Sequence, residues 1–240
     1  MSATTVDYDR GWTEWGDMIR HSPAPFHRRR LILELAQGLS FKSVLDIGCG
    51  NGEVLGAFAQ RYPGAELVGA DLSAAVIAEN QRRWPSARFH QLDLGERALT
   101  ERCDLVVCTE VVEHVFDWKQ GLRHLRQMCT GHLIVTVPAG KLFPIDRMMG
   151  HHRHFQREEF TEGVRQAGFA VERAWQWGFP FHTLYKSLIN LSPERSMKSF
   201  GASAYGASQK LIASVVGASF YLNLRNSPLG RQLVVLARAV

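Results

Sequence analysis

The chain has 240 residues, with 28 Lys plus Arg against 23 Asp plus Glu, a formal net charge of +5 when histidine is neutral. At 45% hydrophobic and 21% charged residues it is too apolar for a disordered chain and long enough for one domain with a sizeable core. Its four cysteines, Cys49, Cys103, Cys108 and Cys129, have neither the density nor the spacing of a disulfide framework and form no CxxC pair, so a reducing compartment is expected.

The first residues, MSATTVDYDRGWTEW, place acids where a signal peptide needs a basic and then an apolar run. No stretch reaches the roughly 18 apolar residues of a membrane span. A cytoplasmic protein without a transmembrane segment is therefore expected. A pI near 9.2 permits an anionic partner. The densest basic cluster, Arg28, Arg29 and Arg30, is accounted for by a solvated helix face. No regular interleaving of basic and aromatic residues marks a nucleic-acid surface, so no stable nucleic-acid partner is expected. Attraction of the same cluster to a phosphorylated acceptor or an anionic membrane surface is the alternative, and it would make the location peripheral to a membrane. Nothing in the pattern sets the oligomeric state.

Tyr8, Trp12, Trp15 and Met18 recur every three or four residues, the spacing of one side of a helix, docked on the core or closing over a pocket. A basic amphipathic helix follows over 26–39, with Gly38 near its end. Residues 1–39 thus read as an N-terminal helical or lid segment before a main domain over 40–240. Strands are expected at 43–47, 67–70, 87–90, 104–108 and 132–137, alternating with helices at 53–61, 74–83 and 118–128. This alternation means an α/β fold, a mostly parallel sheet covered by helices on both faces. Residues 138–155 have no clear period and carry His151, His152 and His154 toward a helix at 157–166 and a strand at 170–177. In 178–230, Gly, Ser, Pro and Asn break up short apolar runs. This stretch exceeds an ordinary connection and is expected to hold one or two helices, either building a pocket or interface or adding a packing layer. A buried strand closes the chain at 232–237.

The strongest local signal is Val44-Leu45-Asp46-Ile47-Gly48-Cys49-Gly50-Asn51-Gly52, which begins in a strand and opens onto a helix. Its glycines let the backbone turn sharply and a ligand approach where a Cβ would obstruct it, although the loop alone leaves a dinucleotide site open. Asp71 ends the second strand, where a carboxylate can accept from both hydroxyls of a ribose or cap the next helix. Asp93 lies just past the third strand, at the sheet edge where parallel strands place ligands. Together these sites describe an adenosine-sized pocket.

With these motifs in this order, residues 40–177 and the last strand resemble the class I S-adenosylmethionine-dependent methyltransferases. The resemblance implies a Rossmann-like fold with an inserted helical substrate region, S-adenosylmethionine as cofactor, and methyl transfer to a small-molecule or lipid-like acceptor. It implies that Asp46, Gly48, Cys49 and Gly50 border the methionine and ribose parts, that Asp71 holds the ribose hydroxyls, and that Leu72 packs on adenine. Asp93 and Leu94 would lie beside the adenine amino group and ring. Cys108-Thr109-Glu110-Val111-Val112-Glu113-His114-Val115 resembles the segment after the fourth strand in many of these enzymes, and places Glu110 at the cofactor.

Glu110, Glu113 and His114, at i, i+3 and i+4, can share one face of a helical turn. Joined by a histidine from 151–154 they could bind a divalent metal. With His152 as fourth ligand this resembles the metal site of relatives that methylate the 2'-hydroxyl at an RNA 3' end. Gly150-His151-His152-Arg153-His154-Phe155 departs from the fuller histidine signature of those enzymes and is closer to metal-free small-molecule and lipid-intermediate methyltransferases, so no metal is assigned. His114 or His152 would then take the proton from the nucleophile, imidazole having an ordinary pKa of about 6.5. His151, His154, Phe181 and Tyr185, with Trp12 and Trp15, are expected to line an acceptor chamber, core packing being the alternative for the aromatics. A cofactor-binding scaffold without turnover is the non-enzymatic reading.

Overall fold

A computed structural model describes residues 20–200 and 205–240. Helix α1 (Pro23–Ala36) leads into β1 (Ser43–Ile47), α2 (Glu53–Arg61), β2 (Glu66–Asp71), α3 (Ala74–Arg83), β3 (Arg88–Gln91) and β4 (Cys103–Thr109). A 3-10 turn (Val112–His114) and α4 (Trp118–Met128) follow, then β5 (Cys129–Pro138), α5 (Pro144–Met148), α6 (Arg157–Gln166) and β6 (Phe169–Trp177). Three helices, α7 (Phe181–Ile189), α8 (Pro193–Phe200) and α9 (Ala207–Phe220), separate β6 from β7 (Gln232–Ala239). The strands form one mixed sheet in the order β3-β2-β1-β4-β5-β7-β6. Pairings from β3 to β5 are parallel, and β7 runs antiparallel to both β5 and β6.

The central strands are apolar on both faces because helices cover both. Along β4 the side chains alternate. Val106 and Cys108 join Leu122, Leu125, Phe155 and Phe160 on one side, while Leu105 and Val107 join Leu31, Ile32 and Phe58 on the other. The chain order reverses between β1 and β4, so the loops beyond their carboxyl ends splay apart and leave a crevice there.

Three expectations are corrected in detail. Helix α1 starts at Pro23 rather than residue 26, since proline suits the first helical turn, where its missing N–H has no partner to lose. Residues 138–155 contain α5, held by the Asp146 carboxylate accepting from the Phe143 N–H at 3.0 Å. The stretch between β6 and β7 holds three helices rather than one or two. Among the described residues no helix is long and apolar enough to cross a membrane. Trp12 and Trp15 lie outside the described residues.

Candidate active site

The loop after β1 is shaped by backbone conformation. Gly48, Gly50 and Gly52 have φ of +71°, +48° and +77°. A Cβ on Gly48 would also sit 2.2 Å from Val111 Cγ2, so both conformation and space exclude a side chain. The Gly48 and Cys49 N–H groups donate to the Ala70 carbonyl at 2.7 and 3.0 Å, tying the loop to β2. Asn80 Nδ2 donates to the Gly50 carbonyl at 2.6 Å.

These ties bring two carboxylates together. Asp71 Oδ2 accepts from the Gly50 N–H at 2.9 Å and Oδ1 from the Ser73 N–H at 3.0 Å, which fixes the carboxylate plane. Asp46 is 1% exposed and neither of its oxygens has a hydrogen-bond partner among the described residues. Burial, and then the neighbouring Asp71, push its carboxyl well above the usual range. The Cys49 thiol is pushed up chiefly by burial and stays protonated. Asp93 Oδ1 accepts from the Gly95 N–H at 2.8 Å, and Leu72, Leu92 and Leu94 line the same space.

Side chains from distant parts of the chain build the other side. Glu110 adopts φ +55°, a left-handed conformation that a non-glycine residue holds only when its surroundings enforce it. Here the Glu110 Oε1 accepts from Gln232 Nε2 at 2.6 Å and from the Thr136 hydroxyl at 3.2 Å, while Oε2 faces the Arg28 guanidinium at 3.5 Å. Glu113 is fully buried with both oxygens unpartnered among the described residues, and burial, then Glu110, push its carboxyl up.

His114 Nδ1 lies 3.1 Å from the Gly150 carbonyl. Because a carbonyl only accepts, Nδ1 carries the proton and Nε2 the lone pair. Burial lowers the His114 pKa and keeps the ring neutral near pH 7. Its neighbour His151 contacts it edge to face at 4.7 Å and is likewise pushed down by burial. Behind His151, His154 Nε2 lies 3.2 Å from His151 Nδ1 and 3.3 Å from Asp146 Oδ2. Asp146 is in turn paired with Lys186 Nζ at 2.9 Å. Burial raises the Tyr185 phenol to about 12, so it stays a hydrogen-bond donor.

One cavity of about 740 Å³ joins the two sides. Asp46, Gly48, Cys49, Asp71, Leu72, Asp93, Leu94, Glu110, His114, His151, His152 and Tyr185 all line it. Gly50 lies behind the wall and acts through its N–H on Asp71. Phe181 is packed with the core cluster around Trp177, and His154 stands behind His151, so neither is among the lining residues. His152 is exposed, its backbone N–H donating to the Glu113 carbonyl at 2.9 Å. Among the described residues two compact carboxylate and imidazole groups occur, Glu113 with His114 and His151, and Asp146 with His151 and His154, each with ligand atoms within 4.8 Å of one another. Neither contains Glu110 or His152, the further members of the alternative quartet, because His152 reaches the 3-10 turn with its backbone and turns its ring to Phe116 at 6.0 Å.

Some wall residues carried no signal in the sequence. Arg28 and Arg29, expected on a solvated helix face, line the cavity, and only Arg30 of the three turns away, to Glu34 at 2.6 Å. The correction follows from α1 packing along the crevice. Asp146 and Lys186 are 40 positions apart and pair only through the fold. Gln232 opens a strand whose pattern marks burial alone.

A family model described as a methyltransferase domain matches residues 20–174. A trans-aconitate 2-methyltransferase from Variovorax paradoxus is 32% identical over 109 residues, 44% of this chain and 42% of the relative, so the chain spans less than half of that protein's length. A ubiquinone biosynthesis O-methyltransferase from Acinetobacter baumannii is 28% identical over 189 residues, 66% of this chain and 78% of the relative. Among solved structures, the N-methyltransferase NodS from Bradyrhizobium japonicum with bound S-adenosyl-L-homocysteine superposes with a TM-score of 0.61 at 15% identity, covering 99% of this chain and 97% of that one. The [4+2]-cyclase SpnF superposes at 0.60 with 17% identity, covering 90% and 81%. The glycine loop, the acids after β2 and β3, the mixed seven-stranded sheet and these likenesses agree: the chain belongs to the class I S-adenosylmethionine-dependent methyltransferase family.

Proposed function

We propose that the chain methylates a small-molecule or lipid-like acceptor. The observation that carries this reading is the continuity of the cavity, from Asp71 and Asp93 on the β2 and β3 side to His114, His151, Tyr185 and Lys186 beyond β4. The named activities of the relatives, trans-aconitate 2-methylation and an O-methylation in ubiquinone biosynthesis, support a small acceptor.

The residues fit S-adenosylmethionine. Two unpartnered oxygens on buried Asp46 suit a ligand that brings its own ammonium group. Asp71 is oriented by two N–H groups at the end of β2, where its carboxylate would meet ribose hydroxyls. Leu72, Leu92 and Leu94 offer an apolar slot for a base. When bound, the cofactor supplies a methyl group on a sulfonium, a good leaving group. The protein has then to align the acceptor, exclude water and receive one proton. His114, neutral with its lone pair on Nε2, is the proton acceptor in this reading. Tyr185 and His151 orient the acceptor.

The test is transfer of radiolabelled methyl into pools of small molecules, lipids and short RNAs, with and without chelator. Chelator-insensitive label in a small-molecule or lipid fraction is expected. Label confined to RNA, or none from protein that binds the cofactor, would overturn the assignment.

One observation favours a second reading. Glu113 is buried without a partner beside His114 and His151, and the three could hold a divalent ion that makes an acceptor hydroxyl lose its proton more readily. Transfer would then stop in chelator and return with Mg²⁺ or Mn²⁺, with an RNA 3' terminus among the acceptors to try.

A further inference from the structure

Helix α7 has two working sides. Tyr185, Lys186 and Ile189 line the cavity. Leu184, Leu188 and Leu191, at i, i+4 and i+7, are each more than half exposed. Helix α9 repeats this on a larger scale. Its inner side packs on α1, where His27 Nε2 donates to the Gly217 carbonyl at 2.9 Å and Phe220 is fully buried. Its outer side carries Leu211, Ile212 and Val215, continued past the helix end by Leu222 and Leu224, all more than half exposed, while Tyr221 turns back onto His27 and Arg30 of α1. The α9 sequence ASQKLIASVVGASF holds a single charged residue, Lys210. The exposed aliphatic side chains of α9 make an apolar patch, broken by Ser214, that no described residue covers.

Charge points to the occupant. Residues 178–230 contain Lys186, Arg195, Lys198, Lys210 and Arg225 against Glu194 alone, a net +4 of the chain's +5. Lys186 is committed to Asp146 and Arg225 to Glu34, while Arg195, Lys198 and Lys210 stand exposed. We propose that α7 and α9 form an interfacial docking surface for an anionic lipid bilayer. The aliphatic stripes enter the acyl boundary and Arg195, Lys198 and Lys210 meet the headgroups. A second copy is the poorer occupant, because a two-fold contact would set this net positive stretch against itself. A protein partner is also disfavoured, since Leu and Val are under-represented among the residues that anchor protein interfaces.

The arrangement bears on substrate delivery, a consequence that rests on the methyl-transfer reading although the docking does not. One helix, about 10–12 Å across, separates the exposed leucines from the cavity. An acceptor dissolved in the bilayer would pass around α7 to reach His114 without crossing bulk water.

The test is flotation of the full chain with phosphatidylcholine vesicles, with and without phosphatidylglycerol. Binding to the anionic vesicles is expected to be at least about tenfold stronger than to neutral ones, and to weaken in high salt. A Leu211→Ser, Val215→Ser, Leu222→Ser variant should lose flotation while keeping its circular-dichroism melt and its calorimetric affinity for S-adenosyl-L-homocysteine. Arg195→Gln with Lys198→Gln should lower partitioning roughly 30-fold. No flotation of the unaltered chain, or undiminished flotation of the serine variant, overturns the proposal. So does a dimer seen by light scattering that the serine variant abolishes without any vesicle binding, which assigns the surface to a second copy. Failure to bind S-adenosyl-L-homocysteine would refute the methyl-transfer reading and leave the vesicle result intact.

Discussion

The two sides of the cavity are built by different means. On the cofactor side, Gly48, Asp71 and Asp93 follow closely along the chain, and backbone N–H groups of Gly50, Ser73 and Gly95 set the carboxylates. On the acceptor side, Arg28, Glu110, Asp146, Lys186 and Gln232 come from separate elements and hold one another through side chains. Backbone geometry is encoded locally and survives changes elsewhere. Side-chain meetings exist only once the whole fold has formed, and can be rewritten residue by residue to suit a different acceptor.

Breaking the acceptor side should have the largest effect on stability. Lys186→Met leaves Asp146, whose side chain is 2% exposed, without its cation. The expected loss is about 3 kcal/mol by urea unfolding, the range for stranding a buried charge. Affinity for S-adenosyl-L-homocysteine should stay within about twofold, since among the described residues Lys186 and Asp146 form no hydrogen bond or ion pair with Asp46, Asp71 or Asp93; a larger change would show that the two sides are coupled.

Asp71→Ala is the converse. Losing a carboxylate already aimed by two N–H groups should weaken S-adenosyl-L-homocysteine by about 2 kcal/mol, roughly 30-fold by calorimetry. Unchanged affinity would remove Asp71 from the ribose site.

Asp46→Asn sharpens the comparison through pH. The Asp46 carboxyl is raised in the fold, so above an unfolded pKa of about 3.9 the unfolded chain releases a proton that the cofactor-free fold retains. Stability therefore falls with rising pH until the folded pKa is passed. The Asn variant should gain on the parent from pH 4 upward, by at most about 1.4 kcal/mol per unit. A constant difference between pH 5 and pH 8 would mean that Asp46 is ionised in the fold.

The smallest effect is expected away from both sides, at His182, which is buried against Trp177 with both ring nitrogens unpartnered. Burial lowers its pKa, so below about 6.5 the unfolded chain takes up a proton that the fold refuses, and stability is lost as the pH is lowered. His182→Phe should reduce the acid slope of stability by one proton and leave the alkaline side unchanged, as unfolding titrations at successive pH values would show.

What could be read in the sequence follows the same division. The strands and the helices at 53–61, 74–83 and 118–128 were legible because each has one strong period and a clear break after it. The places of the glycine loop, Asp71 and Asp93 at the crevice were legible because each lies at the end of a strand. Helix α5 was not, since five residues are too few to display a helical period. Nor was the choice between His151 and His152, adjacent residues in an aperiodic loop whose rings part only when the 3-10 turn captures one backbone N–H. Arg28 looked like surface because nothing local announces that α1 borders a crevice.

Glu110 joins the first described helix to the last strand, through Arg28 of α1 and Gln232 of β7. During synthesis the glycine loop, Asp71 and Asp93 emerge early, but the strongest tether on Glu110 arrives only when residue 232 leaves the ribosome. Glu110 therefore gains its 2.6 Å hydrogen bond only after every residue of the proposed cofactor side has been synthesised, and β7 is the element that completes this tie.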